Sequence, residues 1–531
     1  MERSGAACLR SVGGVRWTGA QVAAVGIDIG STNVKVVLVR SDGTLAATAE
    51  RPLTWHRQGG VAEQDAEAQW QAVVGALADL ASVSGKGGLS AVGVIGLCGQ
   101  YSSIVPVDAQ ARPVAPMRLY LDQRGTTHCM DLLGRHDDAF VAWLERHPIP
   151  PVGGGLALGH LLGFQHDEPG VHQRTAAWME PVDYVAARLT GVIAATQGSM
   201  FAAQLVDNRS LGTTTYDPDL VAMAGVDRDR LPPLLPVGAA VGTVTAEVAA
   251  MCGLPPEVEV RTGLTDSSAQ ALATGAAQPG RVGVAIGTTG VVLGTAPVLG
   301  VDLDHEVFTM PGPWLDRYLV SAENGIAGRS VEHVLARFVH ATDALGDHGI
   351  ADPFAGFDEA LLASPAGARG VRFLPWLSGS MSPQADAFAR GGFIGVSLDT
   401  ERVDLVRAMA EGVAHNLRWL LGPVEVFTGD VAREVVLTGG AARSAAWSQS
   451  IADVLQLPVR VLADAGHSGA IAAAAWALCR STGTNGDGPP LGTGATFEPA
   501  PATAEVHAHA QGQFVAAFEA LRPLSLGRPS A

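Results

Sequence analysis

Positive charge, paired cysteines and long apolar runs are all scarce in this 531-residue chain. Charged residues make up 16%, and 35 lysines and arginines stand against 52 aspartates and glutamates, a formal charge of −17. A nucleic acid or an anionic membrane needs a clustered positive field, so neither is expected as a partner. Phosphate compounds stay open, because backbone amides and a metal ion hold phosphates inside acidic proteins. The five cysteines (Cys8, Cys98, Cys129, Cys252 and Cys479) form no CxxC pair and have no histidine at ligand spacing. A disulfide framework and a zinc site are therefore not expected, and a reducing compartment fits better. Cys98, beside Gly99-Gln100, has no flanking histidine or base and reads as a small buried residue rather than a nucleophile. No apolar run approaches the roughly 18 residues of a membrane span. Residues 1–21 carry Arg3, Arg10 and Arg16 without a signal peptide's apolar stretch, and read as a disordered extension. The expected location is the cytoplasm.

What the chain does have is hydrophobic residues, 47% of the total, and a length that calls for two domains. From Val22, the run VAAVGIDIG, then STN, VKVVLVR, an Asp42-Gly43 turn and a third apolar run read as three strands joined by tight turns. Trp70, Val73, Val74 and Leu77 at i, i+3, i+4, i+7 predict a helix, and Ala91–Leu97 a buried strand. The order occurs twice. Gly26-Ile27-Asp28-Ile29-Gly30-Ser31-Thr32 is matched by Gly283-Val284-Ala285-Ile286-Gly287-Thr288-Thr289, each leading into a valine-rich strand. Later, EVVLTGG predicts a strand ending at Gly439-Gly440, with a helix from Ser444 to Leu455. After a short VRVL strand, an alanine-rich helix runs from Ser468 to Leu478. The Gly/Pro/Thr-rich stretch 483–501 predicts a loop, and Phe514, Ala517, Phe518 and Leu521 one face of a short final helix.

Small residues in a hairpin let backbone amides and hydroxyls wrap phosphate oxygens closely. Two such hairpins in duplicated halves, Gly30-Ser31-Thr32 and Gly287-Thr288-Thr289, point to a polyphosphate such as ATP. Asp28 stands where the second copy has Ala285. A carboxylate buried on a strand is costly unless it meets a cation or donors, so Asp28 is a candidate for Mg²⁺, with a turn-stabilising Asp as the plainer alternative. Asp266, in RTGLTDSSAQALATG, lies at or before a helix start, where an N-cap is the ordinary role. Its surroundings of Gly, Ser, Thr and Ala suit a ligand's close approach. Phosphoryl transfer needs positioning, charge neutralisation and one carboxylate to take a hydroxyl proton. Asp266 is the candidate base.

These segments resemble the FGGY carbohydrate kinases, most closely the xylulokinase branch, from about Val22 to Leu478. GIDIGSTNVK resembles the first phosphate loop of that family and IGTTG the second. GGVAEQDAEAQW resembles the segment leading into the first helix, and GQYSS with LYLDQRG the sugar-contacting stretch. TGLTDSSAQALATG resembles the segment of the catalytic aspartate, which falls on Asp266. LPWLSGSMSP with GGFIGVSLDTERVDLVRAMAEG resembles the C-terminal signature. LTGGAARS resembles the adenosine loop, placing Gly439, Gly440, Ala441 and Ser444 on ATP. The resemblance implies an α/β fold of two actin-like (ribonuclease-H-like) ATPase domains with an interdomain cleft. The expected domains are a sugar-binding one over 22–272 and a nucleotide-binding one over 273–531. It also implies closure over ATP, Mg²⁺ and a sugar. Tyr101-Ser102 stands where xylulokinases usually carry Met-His, and Tyr120 where the family usually has Trp. Ala441 replaces a glycine, adding a methyl expected to tighten the adenine pocket.

Gln100, Tyr101, Ser102, Asp122, Arg124 and Asp266 form the expected substrate set, because sugar hydroxyls need groups that donate and accept. Arg124 is read equally as an ion pair with Asp122. Lys35 reads as an exposed strand lysine, and His507 and His509 as part of a solvated helix start. Trp70, Trp178, Trp376 and Trp447 read as packing residues. No GxGxxG with an acidic residue some 20 positions on is present, which disfavours an oxidoreductase. The expected activity is an ATP-dependent kinase of a ketopentose such as D-xylulose or D-ribulose. A polyol kinase (glycerol, erythritol) and a non-catalytic ATP-dependent switch are the alternatives. Oligomeric state stays open, a homodimer being the state common among proteins of this resemblance.

Overall fold

A computed structural model describes residues 23–85, 88–344, 346–483 and 491–524. The extension expected over residues 1–21 lies outside them. The chain forms two compact units. One runs through Ala269 and adds Pro311–Leu315 and Gly469–Leu491; the other comprises Gln270–Met310, Asp316–Ser468 and the chain from Gly492 onward.

The first unit opens with strands β1 (Ala23–Ile29), β2 (Asn33–Val39) and β3 (Leu45–Pro52). They pair antiparallel in sequence order. A short strand β4 (Val61–Gln64) precedes helix α1 (Ala66–Val83). Asp65 caps α1 by accepting from the Glu67 and Ala68 amides at 2.9 and 3.1 Å. Trp70, Val73 and Leu77 bury the expected stripe, while Val74 is half-buried. A parallel partner needs such a crossover helix, and β5 (Val92–Gly99) duly pairs parallel to β1. Helices α2 (Ala157–Asp167) and α3 (Pro181–Thr190) follow. β6 (Glu259–Arg261) and β7 (Leu264–Thr265) then pair parallel to β5, and α4 (Asp266–Thr274) starts directly after β7.

The second unit repeats the order. β8 (Arg281–Ile286), β9 (Thr289–Ala296) and β10 (Tyr318–Ile326) make an antiparallel meander. After the long helix α5 (Arg402–Thr428), β11 (Glu434–Gly439) pairs parallel to β8. Helix α6 (Ala445–Leu455) leads to β12 (Val459–Leu462), parallel to β11. Helix α7 (Ser468–Ser481) then carries the chain back into the first unit. The stretch predicted as a loop over 483–501 contains a strand, β13 (Thr493–Phe497), antiparallel to β12. Helix α8 (Ala504–Leu521) spans 18 residues, longer than its apolar face alone predicts. Phe514 and Phe518 on that face pack with Trp376, which is a core residue, as are Trp70, Trp178 and Trp447. His507 is buried, its ring 5.7 Å from that of His415, which corrects the solvated reading; His509 is exposed. Among the described residues no group of three or more His, Cys, Asp or Glu could hold a metal, and no helix is long and apolar enough to cross a membrane.

The alanines of α7 lie almost on the backbone of β1 and β5. A Cβ added at Gly26 would sit 1.9 Å from the Ala470 carbonyl oxygen, and one at Gly96 2.0 Å from that of Ala473. Only glycine on the strands and alanine on the helix permit this approach. Gly96→Ala is expected to cost about 3 kcal/mol, seen as a lower urea midpoint at unchanged slope. Gly60→Ala, whose added Cβ meets nothing closer than 3.8 Å, should leave the midpoint near the parent's.

Candidate active site

The parallel register of three strands sets out the carboxylates of the first unit. Asp28 on β1 lies beside Cys98 on β5, which lies beside Leu264 on β7; Ile29, Gly99 and Thr265 form the next row. Asp28 and Asp266 therefore stand at the carboxyl ends of strands two positions apart, about 10 Å at normal strand spacing. Cys98 sits between them, fully buried, its thiol pushed well up by burial and by the charges of Asp28 and Asp266. It is no nucleophile. Burial pushes Asp28 up as well, opposed by the Lys35 charge and a hydrogen bond from the Cys98 thiol. Lys35 pairs directly across from Asp28 and is half-buried, which corrects its reading as an exposed strand residue.

Asp266 is the first residue of α4 and is exposed. The capping role belongs to its neighbour: the Thr265 hydroxyl accepts from the Ser268 amide at 3.2 Å. Asp266 Oδ1 accepts from the Ser267 amide at 2.7 Å.

The loop after β5 is held from behind. The Gln100 amide donates to the Ile29 carbonyl at 2.9 Å. Ser102 has a φ of 63°, an unusual value for a serine. Its amide and that of Ser103 donate to the two oxygens of the Glu180 carboxylate, each at 3.1 Å. The Ser102 hydroxyl donates to the Gly155 carbonyl at 3.0 Å, and its own carbonyl meets His160 Nε2 at 3.2 Å. Burial lowers His160 to about 4, so it is neutral, and an Nε2–H suits that carbonyl. Ser102 is thus buried and its hydroxyl proton committed to the fold, whereas Tyr101 is half-buried.

Asp122 is fully buried, accepting from the Ala62 amide at 2.9 Å and from Arg124 Nη2 at 2.7 Å. Burial alone would raise it, but the Arg124 hydrogen bond prevails and holds it below the usual carboxylate range. Arg124 also donates to Glu63 at 2.6 Å. Of its two sequence readings the ion pair is the one observed, and it ties the loop that carries Asp122 and Arg124 to β4.

In the second unit the Gly287 amide donates to the Thr289 carbonyl at 3.0 Å, closing the turn between β8 and β9. The Thr288 carbonyl accepts from the amides of Ala327 and Arg329 at 3.0 and 3.3 Å. At the end of β11, Gly439 has a φ of 87°, and a Cβ there would lie 2.4 Å from the Ile286 carbonyl oxygen. Gly440 and Ala441 begin a tight turn over Gly440–Arg443. Ala441 is buried and belongs to the hydrophobic core of this unit. Ser444 caps α6, accepting from the Trp447 amide at 2.9 Å and donating to Asp358. Its hydroxyl is occupied by that cap.

Residues 23–273 match the N-terminal domain of the FGGY family of carbohydrate kinases, and residues 283–478 match its C-terminal domain. The chain belongs to the FGGY family of carbohydrate kinases. A xylulose kinase of Bacillus subtilis strain 168 is 28% identical over 441 residues, 82% of this chain and 84% of that protein. An autoinducer-2 kinase of Yersinia enterocolitica is 29% identical over 382 residues, 70% of each. The crystal structure of a xylulose kinase from Rhodospirillum rubrum superposes with a TM-score of 0.80 at 28% identity, covering 95% of this chain and 99% of that one. The fold is the two-domain, actin-like ATPase fold, and the protein is an ATP-using phosphotransferase with an alcohol group as acceptor.

Sequence reasoning missed three residues of this kinase: Glu180, His160 and Gln64, all buried. Only Glu180 leaves a signal, as an acid between the apolar strand Ala177–Met179 and the helix start at Pro181. Behind it Asp183 is pushed up to about 8 by burial, against a Ser199 hydrogen bond that lowers it. An acid raised from 3.8 is protonated in the folded state and ionised in the unfolded state across that window. Its stabilising contribution is full below the lower value and lost as pH rises through the upper one. Asp183→Asn mimics the protonated acid. Its Tm relative to the parent should therefore climb as pH goes from about 5 to about 8, whereas a flat difference would remove this role.

Proposed function

We propose that this kinase transfers the γ-phosphate of ATP to a terminal hydroxyl of a ketopentose, D-xylulose or D-ribulose, in the cytoplasm and with Mg²⁺. Asp266 carries the reading. An exposed carboxylate stands at the end of β7 beside the Gln100–Ser103 loop, and its capping role has passed to Thr265. Asp266 takes the hydroxyl proton as the sugar oxygen bonds to phosphorus, and the bond to the bridging oxygen breaks to release ADP. The sugar-binding part falls within 22–272, with Gln100, Tyr101, Ser102, Asp122 and Arg124 shaping the acceptor site. Of these, Gln100 has a buried Oε1 with no hydrogen-bond partner among the described residues, an acceptor suited to a sugar hydroxyl. Asp122, Arg124 and Ser102 act as support. The nucleotide-binding part falls within 273–531, where Gly287, Thr288, Thr289, Gly439, Gly440 and Ala441 line backbone turns and Ser444 holds its turn in place. Gly30, Ser31 and Thr32 supply the other phosphate loop. A homodimer is the proposed assembly.

Asp28 fits Mg²⁺: its carboxylate is half-buried at the strand end next to that loop, at a desolvation cost a cation would offset. Mg²⁺ keeps several waters and takes one or two carboxylates with phosphate oxygens, so a single protein ligand suffices. When bound, the ion neutralises charge on the phosphates. A second acceptor class, polyols, is favoured by Ser102, which stands where xylulokinases carry histidine and turns its hydroxyl inward.

ADP release should depend on added sugar, and a screen of ketoses, aldoses and polyols should rank ketopentoses first. Asp266→Asn should lose about 10²–10⁴-fold in kcat with the fold intact; sugar-independent turnover that survives it would favour an ATP-dependent switch instead. Asp28→Ala should need more Mg²⁺ for half-maximal rate, and a titration superimposing on the parent's would remove the metal role.

A further inference from the structure

Two glutamines flank the start of α1, Gln64 and Gln69, and both side chains are buried, at 2% and 0% exposure. A buried carboxamide is costly unless its donors and acceptor are met. Gln64 meets all of them. Its Nε2 donates to the Ser31 carbonyl at 2.8 Å and to the Thr54 carbonyl at 3.2 Å. Its Oε1 accepts from Gln100 Nε2 at 3.3 Å and from Gln69 Nε2 at 3.4 Å. Two backbone carbonyls can only accept, so the orientation of this amide is dictated by its surroundings. Two donors and two lone pairs are the full capacity of a primary amide. Glutamate at this position would lack the donors, and methionine would lack both.

The partners give the arrangement its meaning. Ser31 belongs to the first phosphate loop and Gln100 to the acceptor loop. The two are joined once through the backbone, Gln100 amide to Ile29 carbonyl, and once through the Gln64 side chain. Gln100 offers its Nε2 to Gln64 and keeps its Oε1 unpartnered among the described residues. A hydroxyl bound there would bear on an amide whose other end is anchored, through Gln64, to the loop that holds phosphate.

We infer that Gln64 is a positioning residue that fixes the Ser31 phosphate loop against the Gln100 acceptor loop, so that attacking hydroxyl and phosphate meet in line. This rests on the kinase mechanism and loop roles proposed above. It touches neither substrate. Its effect belongs to alignment, which phosphoryl transfer depends on more than on any covalent role of the protein.

The test is steady-state kinetics of the full chain with ATP, Mg²⁺ and the best sugar of the screen. Gln64→Met keeps the length of the side chain and removes all four hydrogen bonds; kcat should fall about 10²-fold, the scale of a 1 Å misplacement, with both KM values near the parent's. Gln64→Glu keeps the acceptor oxygens only and should lose as much. Gln100→Met cuts the same link from the other side, so the double variant should lose far less than the product of the two single losses. A Gln64→Met enzyme with parental kcat, or losses that multiply in full, overturns the inference. Should Gln64→Met not fold by circular dichroism, Gln64→Glu carries the same comparison. A parent without sugar-dependent ADP release would sink the kinase reading and this inference with it; an active parent with indifferent Gln64 variants sinks the inference alone.

Discussion

Parallel pairing of β1 with β5 is the constraint on which the rest of the first unit depends. It places Asp28 beside Cys98 and the Gly30 turn beside the Gln100 loop, and β7 extends the same register to Asp266. The helix that secures this pair comes from far along the chain. α7 packs its alanines onto Gly26 and Gly96, leaving Asp28 and Cys98 two residues further along the same pleated face. Glycine at 26 and 96 is thus a packing requirement that serves the site at one remove.

The loop after β5 shows how a buried carboxyl group is put to use. Glu180 is pushed well above the usual carboxylate range by burial, yet it receives two backbone amides from a serine pair whose first member has a left-handed backbone. Without an acceptor those amides would be buried and unmet, at about 1–3 kcal/mol each. His160, kept neutral by burial, completes the support through the Ser102 carbonyl. The side chains at the front of the loop are thereby presented on a rigid backbone, which phosphoryl transfer to one chosen hydroxyl requires. Asp122 and Arg124 play a similar supporting part by binding each other and Glu63.

Much of this was legible in the sequence because it rests on local rules. Strands punctuated by glycine, the stripe on α1 and the duplicated hairpins follow from periodicity and turn chemistry, which neighbouring residues settle. Asp28, Asp266 and the small-residue loops stood out because charge or glycine on an apolar strand is locally anomalous. The stretch before α8 was misread for the opposite reason. Gly, Pro and Thr dominate it, and β13 forms there because β12 offers an unpaired edge. His507 reads as solvated in the sequence but is buried, because its helix packs against α5, whose His415 lies 92 residues earlier.

By itself, the sequence determined the family, the duplicated strand–hairpin framework and the prominence of Asp28 and Asp266. Tertiary structure decided what each polar group does. Ser444 and Thr265 became caps, Arg124 became an ion pair, and Ala441 went to the core. Glu180 and Gln64 emerged as supports with no motif of their own. The reason is physical: a hydrogen bond is settled by which atoms lie within about 3 Å, and Gln64 meets Ser31 and Gln100 across 33 and 36 positions while Glu180 meets Ser103 and Ser102 across 77 and 78.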